Sequence, residues 1–211
     1  MAAIKTKYGY QIMEQESEVF EFDGIWREVM GTPPVTGFWI VYGNEKQGKT
    51  SFSLWLAEYL SKFDRVLYVS AEQGIGSSFK YSFDRAKANP RNRKVRYAEY
   101  LPIVELQEYL DSRKSHNIII IDNITRYDTE LDREKIMELK QKYENKKLII
   151  FISHEESNEP DRASGRLIKK LAEIIIRVEG LACEVSGRCP KGTLLIDEEK
   201  AQLYHGTQIT E

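Results

Sequence analysis

The run Gly43-Asn44-Glu45-Lys46-Gln47-Gly48-Lys49-Thr50 constrains this chain more than any other feature. It fits G-x-x-x-x-G-K-[ST], the signature of a loop that wraps phosphate between a strand and a helix. At average composition such a match arises by chance in roughly 1 in 100 chains of this size. The flanks make chance a weaker explanation still. Phe38-Trp39-Ile40-Val41-Tyr42 reads as a buried strand just before the loop, and Phe52, Leu54, Trp55, Leu56, Tyr59 and Leu60 recur behind it at helical spacing. Glycine lets the backbone approach a phosphate closely, and successive N–H groups at a helix N-terminus form an anion site. Residues 43–51, from Gly43 through Asn44, Glu45, Lys46, Gln47 and Gly48 to Lys49, Thr50 and Ser51, are therefore the expected nucleotide contacts. In this pattern Lys49 reaches the β- and γ-phosphates of ATP and the Thr50 hydroxyl ligates Mg²⁺. Lys46 reads as solvated.

Before the loop strand, Phe20, Phe22, Ile25, Trp26, Val29 and Met30 suit a short apolar-faced helix. Outward from the loop, apolar runs alternate with helical segments. Val66–Val69 ends at Ser70-Ala71-Glu72, and a helix is expected around Ser77–Ala88. A basic stretch of Arg85, Lys87, Arg91, Arg93, Lys94 and Arg96, flanked by Tyr81, Tyr97 and Tyr100, precedes the next strand, and further helices are expected near Ile103–Arg113 and Leu131–Glu144. Ile118–Ile121 and Leu148–Ile152 are the strongest strand signals. Apolar strands separated by helices indicate an α/β fold, with a mostly parallel central sheet covered by helices on both faces. After about Leu171 the rhythm changes. Ile174–Val178, Ala182–Val185, Leu194–Ile196 and Gln202–Tyr204 read as short strands joined by glycine turns, which places antiparallel strands at the C-terminal edge.

A length of 211 residues suits one such domain, with 31 basic against 33 acidic side chains. That balance gives no global field toward nucleic acid, so any such site must be local. Two cysteines, Cys183 and Cys189, are too few for a zinc site and are expected to be free thiols. No apolar run approaches membrane-spanning length and none suits a signal peptide, so a soluble, cytoplasmic protein without a membrane partner is expected.

The chemistry needs two more groups. Asp122, ending Ile118–Ile121, is placed to hold Mg²⁺ through water. The position after it is Asn123, whose amide cannot take a proton from water, so a general base must come from elsewhere. Glu72 ends the neighbouring strand and is the candidate. His154 ends Leu148–Ile152 after Ser153 and could touch the γ-phosphate or simply be hydrogen-bonded at a strand end.

Taken together, these residues resemble the RecA-like P-loop ATPases, nearest to the RadA and KaiC branch. The matching features are Gly43–Thr50, Tyr68–Glu72, Ile118–Asp122 with Asn123-Ile124, and Ile150–His154, in order and spacing over roughly residues 20 to 206. The resemblance implies that Glu72 positions the attacking water and that His154 senses the γ-phosphate. It divides the chain into a polar tail or docking arm over 1–18 and a RecA-like ATPase domain over 19–211. RadA proteins also carry an N-terminal zinc module and a C-terminal protease-like domain, and neither is expected here. Partition-type ATPases place a signature lysine where Asn44 stands. Rings or filaments formed with ATP are implied, with Arg188 or Lys191 of the Gly187–Gly192 turn completing a neighbouring subunit's site.

Two functional readings remain. One is a Mg²⁺-dependent ATPase in DNA recombination, repair or replication, touching single- or double-stranded DNA through Arg91, Arg93 and Lys94 or through Arg162 and Arg166. The other is a slowly hydrolysing, ATP-dependent adaptor that acts on protein partners without direct DNA contact. A small-molecule kinase would need an arginine lid over the phosphates, and the Arg91–Arg96 run is expected to lie too far away.

Overall fold

A computed structural model describes residues 6–206; residues 1–5 of the expected tail and 207–211 lie outside the described residues. The chain order is α1 (Gly9–Met13), α2 (Gly24–Met30), β1 (Gly37–Gly43), α3 (Lys49–Leu60), β2 (Val66–Ser70), α4 (Ser77–Arg85), β3 (Val95–Glu99) and α5 (Ile103–Asp111). There follow β4 (Ile118–Asp122), a 3₁₀ turn (Ile124–Tyr127), α6 (Arg133–Tyr143), β5 (Leu148–Glu156), β6 (Glu159–Pro160) and α7 (Ala163–Leu171). The chain ends in β7 (Ile174–Glu179), β8 (Ala182–Gly187), β9 (Gly192–Leu195) and α8 (Glu198–His205).

The sheet runs β3-β2-β4-β5-β1-β7-β8-β9, with β6 folded back on β5. From β3 to β7 all neighbours are parallel; β8 and β9 are antiparallel, as the late glycine turns predict. Every residue of β1, β2 and β4 is buried, the signature of strands covered on both faces. Alternation then divides the side chains. Trp39 and Val41 join Tyr68, Ile120 and Ile150 in one core under α2, α3 and α4, and Phe38 and Ile40 join Val69, Ile121 and Phe151 in the other under α5, α6 and α7.

Register fixes what meets at the sheet's upper edge. Gly43 aligns with His154, and Ser70 with Asp122. The phosphate-loop strand, the metal-aspartate strand and the strand carrying His154 therefore end at one level, where ligands of open α/β sheets bind.

Two local expectations fail. Gln202–Tyr204 is not a strand: it lies in α8, because Asp197 caps Lys200 N–H at 3.2 Å and Glu198 and Glu199 follow in the first turn. Phe20 and Phe22 precede α2 rather than belonging to it; their rings stack beside Phe63 in the core, and Val19 bridges Pro34. The short helix α1 buries none of its residues.

Candidate active site

The loop after β1 is closed by Lys49, whose Nζ donates to the carbonyls of Gly43 (2.9 Å) and Asn44 (2.8 Å). Among the described residues, no backbone N–H from Asn44 to Thr50 donates a hydrogen bond within the protein. Seven consecutive open donors at the start of α3 are what a phosphate chain requires. Gly48 caps the helix at φ 108°, a conformation that side chains rarely adopt. Gly43 is needed for a different reason: a Cβ there would sit 2.1 Å from the carbonyl oxygen of Val178 on β7. The first glycine thus serves sheet packing. Gln47 ties the loop to the β7–β8 turn, its Oε1 accepting from Gly180 N–H at 2.6 Å.

Asp122 is buried at the end of β4, and its Oδ2 accepts from the Thr50 hydroxyl at 3.1 Å and from the Tyr68 hydroxyl at 2.6 Å. Burial pushes its carboxyl pKa up, against the lowering effect of those two hydrogen bonds. Lys49 is also buried, and desolvation lowers its pKa against the pull of Asp122 and Glu72. The two hard oxygens of Thr50 and Asp122, side by side beneath the anion site, fit Mg²⁺, which typically takes one or two protein oxygens plus water and phosphate. No cluster of three or more His, Cys, Asp or Glu suited to a metal occurs among the described residues.

Glu72 lies just past β2, and its two oxygens are held separately. Oε1 is 3.2 Å from His154 Nε2, and Oε2 accepts from the Asn123 amide at 3.2 Å. The His154 contact, helped by Asn123, holds the Glu72 carboxyl below the ordinary range despite partial burial. Asn123 in turn accepts from Thr125 N–H and hydroxyl, which fixes its amide with the NH₂ toward Glu72. The residue that could not act as base instead orients the one that could. His154 Nδ1 is buried without a partner.

A cleft of about 580 Å³ joins these groups. Its wall includes Lys46, Lys49, Thr50, Glu72, Asp122 and His154, so the residues expected from separate strands do converge. Sequence reasoning missed Tyr68, hidden as a core aromatic. It also missed α4, where Ser78, Tyr81, Ser82 and Arg85 line the cleft at helical spacing; Tyr81 and Arg85 were read only as edges of a basic stretch.

The other candidates lie elsewhere. Arg91, Arg93 and Lys94 sit before β3 at the opposite end of the sheet, since Val66 N–H pairs with Lys94 C=O. Arg162 faces Asp128 and Asp161, each at 3.5 Å, and Arg166 donates to the carbonyls of Pro160 and Asp161. Both arginines close the junction between β6 and α7. The Gly187–Gly192 turn also lies at the far end, where Arg188 pairs with Glu173 at 2.9 Å and Lys191 N–H bonds Val29 C=O. Neither side chain can complete its own subunit's cleft.

No family model matches the chain, and no curated protein matches its sequence. Solved structures do match. The flagellar accessory protein FlaH from Methanocaldococcus jannaschii superposes with a TM-score of 0.61 at 18% identity, over 83% of this chain and 90% of FlaH. The KaiC-like protein PH0186 from Pyrococcus horikoshii gives 0.58 at 16% identity, over 81% and 87%. The fold is RecA-like. A third match, the ATP synthase subunit NeqB from Nanoarchaeum equitans, gives 0.52 at 12% identity and covers 72% of this chain but 47% of that one. No described helix is long and apolar enough to cross a membrane.

Proposed function

We propose that this RecA-like protein binds and hydrolyses ATP with Mg²⁺ and serves DNA recombination, repair or replication. The observation that carries the ATPase reading is the Glu72 carboxylate, held between Asn123 and His154 on the cleft that Lys49 and Thr50 enter. Lys49 and the open loop amides bind the phosphates, and Tyr81 offers a ring for the base. Mg²⁺, bound by Thr50 and through water by Asp122, would supply neutralisation of phosphate charge. Glu72 orients water and takes its proton, its low pKa keeping it ionised. His154 shares that carboxylate, so loss of the γ-phosphate can reach β5 through it.

The test pairs two variants. Lys49→Ala is expected to abolish nucleotide binding. Glu72→Gln keeps binding and lowers turnover by roughly 10²-fold or more, as loss of a general base does. Wild-type turnover in Glu72→Gln removes Glu72 from the role of base.

A second reading, a slowly hydrolysing adaptor, is favoured by Glu72 itself, since both its oxygens are already engaged and a water must compete for them. Similarity to an accessory protein points the same way. Hydrolysis measured with and without DNA separates the two: stimulation supports the DNA-serving ATPase, and an unchanged low rate supports the adaptor.

A further inference from the structure

The lower edge of the sheet, opposite the nucleotide cleft, carries a second concentration of charge. Val95, Val66, Ile118 and Leu148 align in register as the first residues of β3, β2, β4 and β5. Each is preceded by basic residues: Arg93 and Lys94 before β3, and Arg65 before β2. Arg113 and Lys114 precede β4, and Lys146 and Lys147 precede β5. All but Lys147 are exposed. Residues far apart in sequence thus form one row across four adjacent strands, about 14 Å long at the usual strand spacing.

None of the seven forms an ion pair with a described carboxylate, although Lys140 and Lys142 nearby do. Carbonyls and a hydroxyl position two of them instead. Arg65 donates to the carbonyls of Lys114 and Ser115 at 3.4 and 3.1 Å, and Lys147 Nζ donates to Ser115 Oγ and His116 C=O, both at 2.9 Å. A cleft of about 340 Å³ opens here, lined by Arg65, Arg113, Lys146, Lys147 and Ser115. Its one carboxylate, Asp111, is already held by Lys142 and the Tyr143 hydroxyl. The carboxylate beside Arg65, Asp64, accepts from the Asn117 amide at 2.8 Å.

Helix ends supply part of the counter-charge. The C-termini of α3, α4, α5 and α6 all precede this edge, and each carries about −0.5 of an elementary charge, or about −2 together. Seven cations exceed that, and they remain in excess when Asp64 and Glu18, which line a neighbouring cleft with Lys146, are counted as well. A surplus spread over about 14 Å matches roughly four phosphates along one nucleic-acid strand.

We propose that this edge is a nucleic-acid-binding strip that grips the phosphate backbone, at the end of the sheet opposite the ATP cleft. It deepens the DNA part of the function proposed above and does not depend on hydrolysis. Phosphate contacts of this kind carry register but no sequence information.

The test uses the full chain and labelled 30-nucleotide oligonucleotides, single-stranded and duplex, followed by fluorescence anisotropy between 50 and 200 mM salt. With about four phosphates neutralised, log K should fall against log salt with a slope of about −3 for single strands and −3.5 for duplex. Arg113→Glu with Lys146→Glu, both exposed, is expected to weaken binding at least 10-fold at the lowest salt and to flatten the slope. The milder pair Arg113→Ala with Lys146→Ala should lie between, and fluorescent-nucleotide binding reports that both remain folded. Arg162→Gln with Arg166→Gln, at the other end of the sheet, should bind like wild type. Loss in the Arg162 and Arg166 variant with none in the strip variants overturns the strip while leaving a DNA-serving protein in place. No binding of either oligonucleotide overturns both. Strip-dependent binding to phosphatidylserine vesicles without oligonucleotide binding also overturns it, assigning the edge to a membrane surface.

Discussion

At the scale of single residues, the site depends on groups that hold the reactive ones rather than on the reactive ones alone. Tyr68 is the clearest. Its hydroxyl is buried and donates at 2.6 Å to the Asp122 oxygen that also accepts from Thr50. A hydrogen bond to a charged group contributes about 1.5–3 kcal/mol, so Tyr68→Phe should lower unfolding free energy by about that amount in urea titrations. It should also weaken nucleotide binding in Mg²⁺ more than in EDTA, because Asp122 loses the donor that offsets its burial. Equal affinities in the two media would show that Tyr68 acts on the fold alone. Lys49 and Thr50 were legible in the sequence because they close the phosphate-loop pattern, and Asp122 and Glu72 because they follow strong strand signals. Tyr68 was not, since an aromatic inside an apolar run looks the same whether its hydroxyl is used or not. The orienting role of Asn123 was equally hidden; its amide shows only what it cannot do.

At the scale of elements, β5 overshoots the sheet and turns back through β6, and a buried ion pair helps to anchor that extension. Glu155 follows His154 directly, its side chain is only 2% exposed, and Arg177 on β7 meets it through Nε at 2.9 Å and Nη2 at 2.7 Å. That contact, joined by Glu179, raises the Arg177 pKa further. Removing one partner of a buried pair costs about 3–5 kcal/mol because the other charge is stranded. Arg177 is partly exposed, so Arg177→Met should sit near the lower end, about 3 kcal/mol, by chemical denaturation. Adding Glu155→Gln should recover part of the loss by removing the stranded charge. A double variant no more stable than the single would mean that Arg177 acts by packing. This hairpin was invisible in the sequence: Glu155–Pro160 is polar and short, with no periodicity, and its order comes from a partner on β7. The parallel core strands were legible because they are apolar throughout. Residues 202–204 were misread because a short stretch near the chain end offers too few positions to distinguish a period of 2 from one of 3.6.

For the whole molecule, the far-end turn that carries Arg188 and Lys191 bears on how subunits would assemble. Among the described residues, the Arg188 side chain bonds only Glu173, and it is 81% exposed. Such a surface pair contributes about 0–1 kcal/mol, so releasing the arginine to a neighbouring subunit costs little. Because the turn and the cleft lie at opposite ends of the sheet, an arginine acting on ATP can do so only across a head-to-tail contact, the kind that builds rings or filaments. Molar mass should then rise when ATP and Mg²⁺ are added. Mixing distinguishes this from simple aggregation. Glu72→Gln keeps the arginine but lacks the base, and Arg188→Ala keeps the base but lacks the arginine; each alone should turn over slowly. In a random equimolar assembly about a quarter of contacts join an intact base to an intact arginine, so turnover should recover to about a quarter of wild type in a heterologous ring or filament. Turnover that stays at the sum of the two separate proteins would leave Arg188 as a partner of Glu173 and transfer the same test to Lys191.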